Sequence, residues 1–163
     1  MAKKSASEKT NVMRVLEQHK IAYTPHEYPH GKEAVDGASV AHLLGQDPAQ
    51  VFKTLVTRGA SGGYYVFDIP VTDTLDLKKA AKAVGEKSIA MLPQKELLPL
   101  TGYVHGGCSP VGMKKQFPTV FHETVELFDT ICVSAGKIGA QVEVAPADLI
   151  ALLGAQTADV TAE

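Results

Sequence analysis

The chain has 163 residues, 45% of them hydrophobic and 21% charged, which fits one soluble globular domain with a sizeable core. No apolar run approaches the roughly 20 residues of a membrane span. The net charge of −2 excludes a protein that grips nucleic acid by bulk electrostatics. The two cysteines, Cys108 and Cys132, lack metal-site spacing and fit a reduced, cytoplasmic thiol pair.

Residues 1–9 are basic and polar with no apolar stretch behind them, so they read as a flexible tail ahead of one domain over 10–163. Val12, Val15, Leu16 and His19 follow helical spacing and predict a helix over 10–19. A short strand over 23–28 tolerates Pro25 only at a sheet edge. Asp36 caps a helix that reaches Leu44 and stops at Gly45. Asp47-Pro48 turns the chain into a strand over 51–57, and the glycine-rich loop 59–63 makes a hairpin with a strand over 64–69. Asp76 caps the next helix, with Leu77, Ala80, Ala81 and Val84 as its buried stripe and Gly85 as its end. A strand-like segment over 87–92 and a brief helix over 93–98 follow. Strands over 119–122, 130–134 and 141–144 and a helix over 147–153 complete the order. Hairpins with intervening helices predict an α+β fold with a mixed sheet.

The segment from Thr101 to Lys115 holds Gly102, Gly106, Gly107, Gly112 and the turn pair Ser109-Pro110. Such a loop permits positive φ and close backbone approach, and successive N–H groups in it can cradle an anion or a developing oxyanion. Lys53 lies in an apolar, β-branched run, on one strand face with Val51 and Leu55. A lysine there either snorkels to the sheet edge or serves a site that binds a phosphate or carboxylate. Lysines also bunch at Lys78, Lys79, Lys82 and Lys87 and at Lys114 and Lys115, a pattern typical of solvated faces.

Other candidates are less specific. His26 and His30 have a tolerable metal spacing, but Pro29 interrupts them and no cysteine pair accompanies them, so no metal is expected. His105 precedes the glycine loop at a place suited to a general base. Cys108 sits in the loop with no sequence feature tying a base to it, so it reads as a small apolar residue in a turn and not a nucleophile. Asp68, Asp73 and Asp76 form a possible acidic cluster, of which Asp76 is accounted for as a helix cap. The chain thus offers an anion-ready loop and a lysine without an obvious nucleophile.

Phe52-Lys53-Thr54-Leu55, Leu75-Asp76-Leu77-Lys78-Lys79-Ala80-Ala81, Thr101-Gly102-Tyr103, Gly106-Gly107-Cys108-Ser109-Pro110-Val111-Gly112, Lys114-Lys115 and Val133-Ser134-Ala135-Gly136-Lys137 together resemble the YbaK/EbsC family. The resemblance runs from Val12 to the last helix and is strongest to the YbaK branch of Cys-tRNA(Pro) deacylases. These are similar to the editing domain inserted in bacterial prolyl-tRNA synthetases. It implies a mixed, partly closed β-sheet or barrel flanked by helices, no metal or other cofactor, and a cytoplasmic enzyme of trans-editing. Its partners would be the acceptor end of aminoacylated tRNA and prolyl-tRNA synthetase, with no membrane. A hydrophobic pocket separates cysteine from proline poorly, which is why a second, hydrolytic site is needed.

Carried over by position, the resemblance makes Lys53 the essential lysine that holds the terminal adenosine and its phosphate or orients the ester. Gly106 and Gly107 match the loop facing the ester carbonyl, and Ser109 and Pro110 fix its shape. Thr54, Tyr28 and Ser134 are further pocket residues, and Gln141 occupies a position where an aspartate is common. The family's chemistry explains the missing nucleophile: the substrate's own thiol attacks its ester. Cys108 replaces an aliphatic residue and Ile138 a cation of the family pattern. Two alternatives stay open: a deacylase for another aminoacyl-tRNA, and a non-hydrolytic module that binds the tRNA acceptor end or a synthetase. Retention of Lys53, Gly106 and Gly107 favours an enzyme.

Overall fold

The computed structural model describes residues 9–29 and 36–162. Of the expected tail over 1–9 only Lys9 falls within them, and its ammonium is paired with Glu17 at 2.9 Å. His30 lies outside the described residues.

The first helix, α1 (Asn11–Gln18), begins where the Thr10 hydroxyl accepts the Met13 N–H and buries Val12, Met13 and Leu16. Strand β1 (Tyr23–Glu27) is an edge strand, which is what Pro25 requires. Asp36 caps α2 (Gly37–Leu43), and a single 3-10 turn, Pro48–Gln50, leads into β2 (Phe52–Gly59). β2 and β3 (Tyr64–Pro70) form the expected hairpin, with Val56 opposite Val66. Then come α3 (Leu77–Val84), β4 (Ile89–Met91), α4 (Gln94–Thr101) and β5 (Thr119–His122). A 3-10 segment, Glu123–Leu127, precedes β6 (Ile131–Ser134), β7 (Ala140–Val144), α5 (Pro146–Leu153) and β8 (Gln156–Ala158).

The strands make two sheets, ordered β1-β7-β6 and β4-β2-β3-β5-β8. The first is antiparallel, while the second is mixed, because β5 runs parallel to both β3 and β8. A parallel bridge between Val51 and Cys132 joins the two at the start of β2. The fold is α+β with mixed pairing, as expected, and among the described residues neither sheet closes on itself.

Strand alternation divides the core. Phe52, Val56, Val66 and Phe121 pack with α1 and with Val142 and Val144 of the three-stranded sheet. Phe67, Ile69 and Val120 face the opposite way, onto Ala80 and Ala81 of α3.

Three expectations need correction. Leu77 is not part of the buried stripe of α3 but is 40% exposed, and the buried leucine of that segment is Leu75, just before the cap. The helix expected to end at Leu98 runs through Pro99 to Thr101. A terminal strand, β8, follows the last helix where none was predicted. It pairs with β5, and buried His122 ties down the chain beyond it: Nδ1 accepts the Val160 N–H at 3.2 Å and Nε2 lies 3.3 Å from the Thr161 hydroxyl.

Candidate functional site

A cavity of about 400 Å³ opens where the two sheets meet, walled by β2, the glycine loop, α2 and the ends of β6 and β7. β4 pairs with β2 only from Thr57 to Gly59, so among the described residues no strand of the same sheet pairs with that edge of β2 before Thr57. Lys53, Thr54 and Leu55 line the cavity from this part of β2.

Of the nine candidate residues, the structure brings Tyr28, Lys53, Thr54, Gly106, Ser134 and Gln141 together around the cavity, and it does not reach Gly107, Ser109 or Pro110. These last three are buried behind its wall. Gly107 donates its N–H to the Val104 carbonyl at 2.9 Å, so that donor is already committed. A Cβ on Gly107 would lie 3.0 Å from backbone atoms of Lys137 and Ile138, which explains the need for glycine: two loops touch there main chain to main chain. Gly106 has φ +88° and borders the cavity itself. Ser109 Oγ accepts the Val111 N–H at 3.3 Å, and the Tyr103 hydroxyl donates to the Val111 carbonyl. Ser109 and Pro110 therefore shape the loop from within.

Lys53 is half-buried, and among the described residues no ion pair includes it. Burial pushes its pKa down, and the Asp73 charge opposes part of that shift. The result is a cation without a fixed partner at the mouth of an apolar cavity, suited to an anionic ligand. Asp36, the other charged residue on the wall, is engaged in capping α2 through the Ser39 N–H at 2.9 Å and hydroxyl at 2.8 Å.

Cys108 borders the cavity but is buried, and burial followed by the neighbouring Asp68 charge pushes its thiol up to about 12. Such a thiol stays protonated and is no nucleophile at neutral pH. His105 also reaches the cavity, from the exposed rim of the glycine loop.

One residue that matters, Gln46, was not read as a site residue, and Asp68, read only as part of a possible acidic cluster with Asp73 and Asp76, is buried where the other two are not. Gln46 donates from Nε2 to Gln141 Oε1 at 2.9 Å and to Cys132 Sγ at 3.6 Å, which fixes the Gln141 amide against the cavity wall. Asp68, directly behind Thr54, accepts the Thr54 hydroxyl at 2.5 Å. Burial pushes its pKa up to about 7, with the Thr54 bond acting in the other direction.

His26 does meet a possible ligand set other than the His26–His30 spacing weighed from sequence, since its ring, Cys132 and Glu143 lie within 4.8 Å of one another. Hydrogen bonds account for this cluster. His26 Nε2 holds one Glu143 oxygen at 2.8 Å, the Thr130 hydroxyl donates to the other at 2.5 Å, and Gln46 covers the sulfur.

The chain as a whole resembles known proteins. Residues 32–152 match the model of the aminoacyl-tRNA editing domain. A protein of Enterococcus faecalis, EbsC, which bears the provisional name Cys-tRNA(Pro)/Cys-tRNA(Cys) deacylase, is 48% identical over 99% of this chain and 98% of its own. A crystal structure described, also provisionally, as a trans-editing enzyme for prolyl-tRNA synthetase superposes with TM-score 0.82 at 29% identity, over 93% of this chain and 95% of that one. The fold alone is shared with the hypothetical protein APE2540, at TM-score 0.84 and 23% identity over 94% of this chain and 100% of that one. With the family model spanning most of the sequence and a relative of this identity matching nearly end to end, the chain belongs to the aminoacyl-tRNA editing domain family.

Proposed function

We propose that this protein is a trans-editing deacylase that releases the amino acid from misacylated tRNA, chiefly Cys-tRNA(Pro), with residues 10–163 acting as one catalytic unit in the cytoplasm. What supports the reading is a cavity that brings together a pocket-facing glycine, a lysine with no ion pair among the described residues, and a cysteine whose thiol stays protonated. The two sheets, bridged at Val51 and Cys132, are then read as a partly closed barrel around the ester.

In this reading Lys53 takes the phosphate of the terminal adenosine, or the ester itself, and places the carbonyl against the loop at Gly106. Gly107 contributes by close packing, its N–H being spent within the loop. Tyr28, Thr54, Ser134 and Gln141 line the amino-acid side, and Ser109 and Pro110 hold the loop's shape. The substrate's thiolate sulfur attacks its own carbonyl carbon, forming an S–C bond. The C–O bond to the ribose breaks, the ribose oxygen takes a proton, and a thiolactone leaves for later hydrolysis in water. The protein's work is positioning and oxyanion stabilisation. Selectivity for tRNA(Pro) would come from a complex with prolyl-tRNA synthetase, since the chain has no excess of positive charge.

The test is release of labelled amino acid from Cys-, Ser- and Ala-charged tRNA(Pro), with Lys53→Ala and Cys108→Ser beside the wild type. Cysteine should leave far faster than serine or alanine, and Lys53→Ala should lose activity by about 100-fold or more. Cys108→Ser should keep most of it. Equal rates for serine and cysteine would sink the substrate-thiol step, complete loss in Cys108→Ser would make that thiol a nucleophile, and no release at all would leave a binding module.

A further inference from the structure

Among the described residues, Asp68 is the only acidic side chain in the buried core. It lies within β3, with Thr54 of β2 on one side and Phe121 of β5 on the other. Among the described residues no lysine, arginine or histidine pairs with it. Oδ1 accepts the Thr54 hydroxyl at 2.5 Å, whereas Oδ2 is buried without a hydrogen-bond partner. A lone carboxyl with half its acceptor capacity unmet costs the fold stability that an apolar residue in the same central strand would not. Nothing in the packing asks for it. Its one partner, Thr54, and its titratable neighbour, Cys108, both border the cavity, and Thr54 is next in sequence to Lys53.

We propose that Asp68 is a positioning residue of this pocket: through its hydrogen bond it decides whether the Thr54 hydroxyl offers the substrate ester a donor or an acceptor. The inference rests on the deacylase reading of the cavity. A hydroxyl has a single proton. When Asp68 is ionised it accepts that proton, and Thr54 has only lone pairs to show to the cavity. When Asp68 carries a proton on Oδ1, its O–H donates to Thr54 Oγ1, and the Thr54 proton turns toward the cavity. There it donates to the carbonyl oxygen as negative charge develops. The neutral form also leaves Oδ2 as an uncharged carbonyl oxygen, which is cheaper to leave unpartnered than a charged one.

Burial brings this exchange into the physiological range, with the Asp68 pKa at about 7. Among the described residues, Asp68 has Thr54 of β2 and Phe121 of β5 as its strand neighbours and Cys108 of the glycine loop as its titratable neighbour, with Tyr103 beyond Cys108. The Cys108 thiol and the Tyr103 hydroxyl are both held at about 12, so neither titrates in that window.

The experiment measures cysteine release from Cys-tRNA(Pro) between about pH 5.5 and about pH 8.5 for wild type, Asp68→Asn and Thr54→Val. Taking the ratio of wild-type to Asp68→Asn rates removes the ionisation of the substrate's own thiol. That ratio should fall by about tenfold as pH rises, and placing Asp68→Asn in a Thr54→Val background should abolish its pH dependence. A ratio independent of pH overturns the proposal, because a purely structural carboxyl would lower thermal stability without reshaping the profile. A second measurement needs no substrate. The infrared carboxyl stretch that disappears in Asp68→Asn should titrate near neutrality in the wild type. In Thr54→Val its midpoint should lie about one unit or more higher, because the bond favouring the ionised form is gone. An unmoved midpoint overturns the proposal even where deacylation is fast. If the midpoint moves but the wild type releases no amino acid, the Asp68–Thr54 coupling stands and the deacylase reading falls.

Discussion

Asp68 carries a consequence for stability as well as for the pocket. Its pKa is about 7 in the folded chain against an ordinary value of 3.8, so between these limits the folded state binds more protons than the unfolded one. Stability therefore falls as pH rises through that window, the reverse of the usual carboxylate that is paired in the native state. The shift corresponds to roughly 4 kcal/mol between the two ends. Urea denaturation of wild type and Asp68→Asn should show the difference in midpoints changing in this interval and flat above it. A difference that does not vary with pH would mean that Asp68 ionises in the fold as readily as in the unfolded chain. At this scale the sequence was legible wherever residue type alone carried the signal. Lys53 stood out as a cation in an apolar strand, and the glycines stood out by density. Asp68 stood out only as part of a possible acidic cluster, because an aspartate in a strand normally faces water, whereas in the fold it is buried beside Cys108 of the glycine loop. Gln46 was illegible for the same reason: its partners, Gln141 and Cys132, lie far along the chain.

Elements with their own start and stop signals were legible almost to the residue. Asp36 and Asp76 each accept the backbone N–H bonds expected of a cap, Gly85 closes α3 in the left-handed conformation, and Thr10, read as the first residue of its helix, is the cap of α1. Where tertiary contacts override local signals, the reading failed. Pro99 argued for a helix end, yet the last turn of α4 continues, closed by Gly102 N–H to the Leu98 carbonyl and by the Thr101 hydroxyl to the Leu97 carbonyl. β8 has no alternating pattern at all and exists because β5 offers it a partner. His122 is the side chain that makes this closure specific, through Val160 and Thr161. His122→Leu leaves the buried Val160 N–H without its acceptor and should cost about 1–3 kcal/mol. Amide exchange should then show protection lost first over β8 and the residues after it. Uniform loss across both sheets would mean that His122 supports the whole core and not this one strand.

For the molecule as a whole, the charge balance limits how it meets RNA. The net charge is −2, and Lys114, Lys115 and Lys137 are exposed on the loops beside the cavity. Contact with the phosphates of an acceptor end would then rest on a few lysines, so affinity should be modest. The isolated protein should deacylate Cys-tRNA(Cys) and Cys-tRNA(Pro) at similar rates, with a log–log salt dependence no steeper than about −3. Strong intrinsic preference for tRNA(Pro), or a much steeper slope, would point to a larger RNA interface than these lysines provide. The α+β class and the family were readable from the whole chain because short motifs recurred in a fixed order. The division into two bridged sheets was not, since it depends on the Val51–Cys132 bridge between segments that share no local pattern.

The contact at Gly107 bears on how such a pocket changes over time or by engineering. Because the glycine loop and the β6–β7 turn meet through bare main chain at Lys137 and Ile138, neither has slack to adjust to a new neighbour. A transplant of one loop from a relative of different specificity would import a spacing tuned to the other relative's turn. The two segments form a single inheritable module, and specificity at this site should be exchangeable only when both are moved together.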